Sequence, residues 1–170
     1  MGADICGFTS TSNEELCTRW QQVGAFYPFS RNHNVRGEPD QDPAAWSQML
    51  IESTKKTLNI RYTILPYYYS LFFRAHTTGS LVMKALYQEY PLDKNCRKID
   101  HQFLVGSAVL ISPVVEQGKR SVSAYFPRDT WYNYYDGSLV KKSGFVTLDA
   151  PLNFLNIHLR GGHIITTQRP

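Results

Sequence analysis

Ala25-Phe26-Tyr27-Pro28-Phe29-Ser30-Arg31-Asn32-His33-Asn34 sets a brief apolar run directly against a polar cluster. The run reads as a strand, and the cluster as the loop it delivers to a surface mouth, where a rigid scaffold concentrates binding groups. Upstream, Ser12-Asn13-Glu14-Glu15 reads as a capping box with Ser12 at the N-cap. Leu16, Trp20 and Val23 then recur at i, i+4 and i+7, which predicts a short helix burying those three and ending near Gly24. Downstream, Asp42-Pro43 is a helix start, since Asp accepts from free amides and Pro at the first helical position loses no bond it would have made. A helix is predicted over 44–59, continuing over 60–75 with Ile64, Leu65, Tyr68, Phe72 and Ala75 on one face. Pro66 kinks or divides it. The pattern is α/β.

The spacing changes along the rest of the chain. Residues 77–79 end the helices, 81–87 read as a buried strand, and from about residue 93 short alternating strands follow, as in Val122, Ala124, Phe126 and again in Leu155, Ile157, Leu159. Asp136-Gly137 is a hairpin signal, and Gly161-Gly162 a turn after the last strand. The chain thus divides into an α/β part, residues 1–90, and an all-β part, 91–170. The first has too few strands to close a sheet unaided, so uncovered apolar faces and a tendency to aggregate or to need a partner are expected.

Composition excludes several classes. With 42% hydrophobic and 19% charged residues among 170, the chain is globular rather than disordered. Its net charge of +4 is scattered, with no basic stripe of the kind a phosphate backbone requires, so no nucleic-acid partner is expected. No apolar stretch approaches the roughly 20 residues of a membrane span, and Gly2-Ala3-Asp4 lacks the opening of a signal peptide. The five His are dispersed and no Cys/His set has zinc spacing, so neither metal nor cofactor is implied. Of the three Cys, Cys6 and Cys17 flank a short polar loop that a disulfide would close in an oxidising compartment; three reduced thiols is the other reading.

Five ordered segments carry more than periodicity can: Gly2-Ala3-Asp4-Ile5-Cys6-Gly7-Phe8, Leu16-Cys17-Thr18-Arg19-Trp20, the 26–34 stretch, Ile60-Arg61-Tyr62-Thr63-Ile64-Leu65-Pro66-Tyr67-Tyr68-Tyr69, and Leu159-Arg160-Gly161-Gly162-His163-Ile164. In this order and spacing they resemble the later catalytic region of glycoside hydrolase family 31, the α-glucosidases of the maltase-glucoamylase and sucrase-isomaltase type. The resemblance implies the terminal part of a (β/α)8 TIM barrel followed by a C-terminal β-sandwich. It also implies hydrolysis of terminal α-linked glucose with retention, which takes two carboxyl groups about 5 to 5.5 Å apart. The family's nucleophile and acid/base motifs lie upstream of the Gly2–Phe8 segment and match nothing here. No catalytic residue is therefore assigned, and the chain is expected to be a fragment inactive alone, with a non-catalytic carbohydrate-binding remnant or a decayed paralogue as the alternative.

Pocket residues do transfer. By the resemblance His33 hydrogen-bonds glucose in the innermost subsite, Asp4 and Phe8 form floor and wall, Arg31 supports them, and Cys6–Cys17 is a disulfide. The plainer readings are a solvated loop histidine, an aspartate bonding its own loop, a core phenylalanine and an ion-pair arginine. The implied ligands are α-glucosides, maltose or an oligosaccharide, once the pocket is completed. The implied address is extracellular or membrane-attached lumenal. The sequence departs from the family at Lys84-Ala85, where an Arg-Pro pair is usual in the last barrel strand, and Lys does not reproduce the bidentate geometry of Arg. Trp131-Tyr132-Asn133 stands for the common Trp-Tyr-Asp.

Overall fold

The computed structural model describes residues 2–170. Its first half holds three helices, α1 (Glu14–Gly24), α2 (Gln48–Thr63) and α3 (Leu65–Thr78). The N-cap of α1 is Asn13 rather than Ser12: the Asn13 side chain accepts from Leu16 N at 2.9 Å. A longer side chain one position closer reaches the first free amides, so the capping-box reading gives way. The buried face also differs from the expected stripe. Cys17, Thr18, Arg19, Gln21 and Gln22 are buried, whereas Leu16 is 43% exposed. Polar side chains occupy the inner face because they bond to neighbours: Gln22 Nε2 donates to Ser53 Oγ on α2 at 3.0 Å, and Thr18 Oγ1 donates to Glu14 O at 2.7 Å.

The strand expected over 25–29 is absent. Phe26 N donates to Val23 O and Tyr27 N to Gly24 O, which folds the chain into turns, and Pro28 has no amide to offer a ladder. What remains of a parallel sheet among the described residues is one bridge, Ile5 with Asn32, supported by Ile5 N donating to Arg31 O at 2.9 Å. With α1 between the two partners, this is a minimal β-α-β crossover. Gly24 closes it tightly, since a Cβ there would stand 2.5 Å from Ile5 Cγ1 and Cδ1. Two side chains from the helical pair pin the turn. Arg61 Nη1 donates to the carbonyls of Ala25 and Tyr27, both at 2.6 Å, and Tyr68 Oη donates to Phe26 O at 2.8 Å.

The second helix begins later than predicted. Pro43–Ala45 makes a 3-10 turn capped by Asp42, and Ser47 caps α2 itself. Pro66 sits in the first turn of α3 and separates the two helices at Ile64, and Gly79, at φ 70°, ends α3 in the left-handed conformation. On α3 the buried residues are Tyr67, Tyr68 and Leu71, while Phe72 and Phe73 are 46% and 63% exposed. The core face is therefore rotated from the one expected.

Residues 81–87 are not one strand. Only β1 (Met83–Ala85) is extended, and α4 (Leu86–Glu89) follows as a single turn. β1 is no barrel strand: it pairs antiparallel with β2 (Phe103–Val105) at the edge of a five-stranded antiparallel sheet. The sheet runs β1-β2-β3-β7-β5, with β3 (Val109–Ser112), β7 (Asn156–Arg160) and β5 (Trp131–Asn133). β4 (Ser121–Phe126) and β6 (Gly144–Asp149) form a separate ribbon. Leu104, Leu110 and Trp131 of the sheet pack with Ala124 and Phe126 of the ribbon, all buried, which makes two β layers. Asp136-Gly137 turns the hairpin after β5, with Gly137 at φ 70°. The architecture is a barrel-type helical part followed by a β domain. Among the described residues no helix is long and apolar enough to cross a membrane.

Candidate functional site

The Ile5–Asn32 bridge brings the ends of two chain segments together, and the four expected pocket residues flank it as two pairs. On one side Arg31 donates to Asp4 Oδ1. On the other, Phe8 and His33 stand with ring centroids 5.5 Å apart, tilted by 35°. Both pairs join the 4–8 segment to the 31–33 segment. Asp4 keeps a fifth of its side chain exposed, Phe8 is 42% exposed, and His33 is exposed. None of the four is core; Phe8 in particular faces outward, toward solvent and the imidazole.

A covalent and a hydrogen-bonded tie hold this arrangement. Cys6 and Cys17 are joined by a disulfide, with Cα atoms 4.6 Å apart, which fastens the loop between Asp4 and Phe8 to α1. Cys6 adopts φ 71°, a left-handed conformation that non-glycine residues enter only when surrounding contacts impose it. Cys96, the third cysteine, is free and buried, and burial pushes its thiol up to about 12.

The hydrogen-bonded tie was invisible in the sequence. Gln41, 7% exposed, donates through Nε2 to Ile5 O, Gly7 O and Asn32 Oδ1 at 3.0, 3.0 and 3.1 Å, and its own carbonyl accepts from Asn32 Nδ2 at 2.7 Å. Val35 N adds a bond to Phe8 O at 2.9 Å. Gln41 thus anchors both halves of the mouth at once. The single signal it left was its place beside the Asp42-Pro43 helix start, which identifies a cap and not a clamp.

A cleft of about 420 Å³ opens here, lined among others by Asn32, His33, Asn34, Asp40, Gln41 and Asp42. Of the four expected pocket residues only His33 lines it. Of its two carboxylates, Asp42 is committed to capping, accepting from Ala44 N at 2.8 Å. The imidazole, carboxylate and amide groups of this lining suit a polyhydroxylated ring, whose hydroxyls need polar partners. Among the described residues no three His, Cys, Asp or Glu side chains are grouped to hold a metal ion.

Comparison with known proteins gives the family. Residues 1–71 match the TIM-barrel domain of glycosyl hydrolases family 31, and residues 79–165 match the C-terminal domain of the same family. The chain is 48% identical over 170 residues to human "Probable maltase-glucoamylase 2", covering 99% of this chain and 7% of that protein. It is 45% identical over 186 residues to bovine lysosomal alpha-glucosidase, covering all of this chain and 20% of that one. Its fold superposes with a TM-score of 0.89 and 33% identity on a Flavobacterium johnsoniae dextranase complexed with glucose, over 98% of this chain and 21% of that one. The chain therefore spans between 7 and 20% of the length of these curated relatives.

Proposed function

Since the chain belongs to glycosyl hydrolase family 31, we propose that it contributes the closing part of the barrel and the following β domain of a retaining α-glucosidase acting on terminal α-linked glucose in oligosaccharides. In this reading His33 hydrogen-bonds the sugar, Asp4 and Phe8 form the floor and wall of the glucose pocket, and Arg31 holds Asp4. The observation that carries it is the pairing of Asp4 with Arg31 and of Phe8 with His33 across one parallel bridge. Two loops are thereby joined beside a cleft of about 420 Å³ that His33 lines.

Neither carboxylate role of a retaining glycosidase is assigned to any residue here. Such an enzyme needs one carboxyl to attack the anomeric carbon and another to protonate the leaving oxygen, and we propose that this chain alone provides a half-pocket without turnover. We place the junction of its two parts at the exit of α3, ahead of residue 90, because β1 already pairs with β2. The Cys6–Cys17 disulfide favours an oxidising, lumenal or extracellular address.

Calorimetry of the chain with maltose and acarbose, beside p-nitrophenyl α-glucoside hydrolysis, tests the reading. Expected is saturable binding lost in His33→Ala, with no hydrolysis. Turnover inhibited by acarbose would overturn the inactive half-pocket, and absence of any binding would point to a decayed relative.

A further inference from the structure

We infer that Arg19 is a positioning residue for the sugar pocket: across α1 it fixes the wall that carries Asp4 and Phe8 against the β domain. The inference rests on the glucosidase reading above.

Arg19 is 7% exposed, and among the described residues it donates to no carboxylate, although the charge of Glu15 favours its own. Four backbone carbonyls take its charge instead. Nη2 donates to Ala150 O at 2.7 Å and Lys119 O at 3.2 Å, and Nη1 to Pro151 O at 3.0 Å and Phe154 O at 3.2 Å. Nε has no partner among the described residues, so the two Nη groups alone make the contact, and their fixed geometry reads the shape of two loops of the β domain. Its neighbours on the same face of α1 do likewise. Glu15 accepts from Arg120 Nη1 at 2.6 Å and Gly118 N at 3.1 Å, and Gln22 Nε2 donates to Leu152 O at 2.7 Å. Glu15, Arg19 and Gln22 stand at i, i+4 and i+7, one rail along the helix.

The same helix carries the pocket wall. Cys17 precedes Arg19 by half a turn and is bonded to Cys6, which lies between Asp4 and Phe8. A rigid helix held at the rail therefore fixes Cys17, and the disulfide passes that position to the 4–8 loop. Lys in place of Arg19 keeps the charge but not the planar fork that serves several carbonyls at once.

Hydrogen exchange on the full chain, comparing wild type with Arg19→Lys and the milder surface change Arg120→Ala, tests this. The expected result is exchange of the Ile5 and Gly7 amides at least about tenfold faster in Arg19→Lys, with the β2–β3 amides unchanged. Arg120→Ala is expected to act in the same direction and more weakly, and it decides the matter if Arg19→Lys does not fold. Maltose affinity should weaken in step. Faster exchange confined to 118–120 and 150–154, or equal acceleration everywhere, would overturn the inference, since Arg19 would then only stabilise the fold. A wild type that binds no maltose while Ile5 and Gly7 respond would overturn the glucosidase reading alone and leave the coupling supported.

Discussion

Arg31 donates through Nε to Asp4 Oδ1 at 2.8 Å and brings Nη2 within 2.7 Å of the same oxygen as an ion pair, while Asp4 Oδ2 accepts no hydrogen bond among the described residues. One carboxylate oxygen is thus held, and the other has capacity to accept from a further donor. Because the Arg31 side chain is 51% exposed, the pair is worth less than about 1 kcal/mol to the fold. Arg31→Met is expected to shift the melting temperature by at most a few degrees, yet to weaken maltose binding in calorimetry as the Asp4 carboxylate loses its orientation. A large loss of stability with unchanged binding would make the pair a structural strut instead.

The imidazole of His158 sits at the seam of the two β layers, 3% exposed, with Phe126 edge-on at 4.7 Å and Nδ1 without a partner among the described residues. Burial holds its pKa down to about 4 from an ordinary 6.5, with Asp136 opposing weakly. The unfolded chain therefore binds this proton at higher pH than the folded one, so stability is full above pH 6.5 and falls as pH drops toward 4. The loss is about 3 kcal/mol. Urea unfolding at stepped pH should show that slope, and His158→Leu should flatten it.

The helices and hairpins were legible because they depend on local grammar: Pro66 at a helix boundary, Gly79 and Gly137 in the left-handed conformation, Asp42 capping Pro43–Ala45. What misled was inference of burial from apolarity. Leu16 and Phe72 point outward while Arg19, Gln22 and Gln41 are buried, because each buried polar group finds partners far along the chain. Arg19 bonds to residues 100 to 135 positions away, a distance no periodicity records. The strand expected over 25–29 failed for a related reason, since Arg61 and Tyr68 hold those carbonyls in a turn. The four expected pocket positions came from motif resemblance; the Gln41 clamp between their two segments did not.

Gln41→Leu removes the amide whose two hydrogens are shared among Ile5 O, Gly7 O and Asn32 Oδ1. A carbonyl left buried and unpaired costs about 1 to 3 kcal/mol. The substitution is expected to lower the urea midpoint clearly and to release the Phe8–His33 contact, visible as altered chemical shifts of both rings. Gln41→Glu offers acceptors where donors are needed and should be no better. Retention of both ring environments in Gln41→Leu would show that the disulfide and the Val35 N bond to Phe8 O suffice.

Glu89 joins β1 to β7: Oε2 accepts from Lys84 Nζ at 2.8 Å and Ser107 Oγ at 2.9 Å, and Oε1 from Arg160 Nη1 at 2.8 Å. Burial alone would raise its pKa, but the bonds from Lys84, Ser107 and Arg160 outweigh it and hold the carboxyl below the usual 4.5. A depressed acid stabilises the fold above its unfolded value and loses that contribution as pH falls through the folded one, so its window opens below 4.5, where the His158 contribution is nearly spent. Removing the charge strands two cations whose side chains are only 19% and 17% exposed, and Asp129, at 2.6 Å, can compensate only Arg160. Glu89→Gln should therefore destabilise the chain by about 3 kcal/mol at neutral pH. Below pH 4.5 the wild type should fall toward it, and a constant gap between the two curves down to pH 3 would show that the carboxylate charge is not what holds β1 to β7.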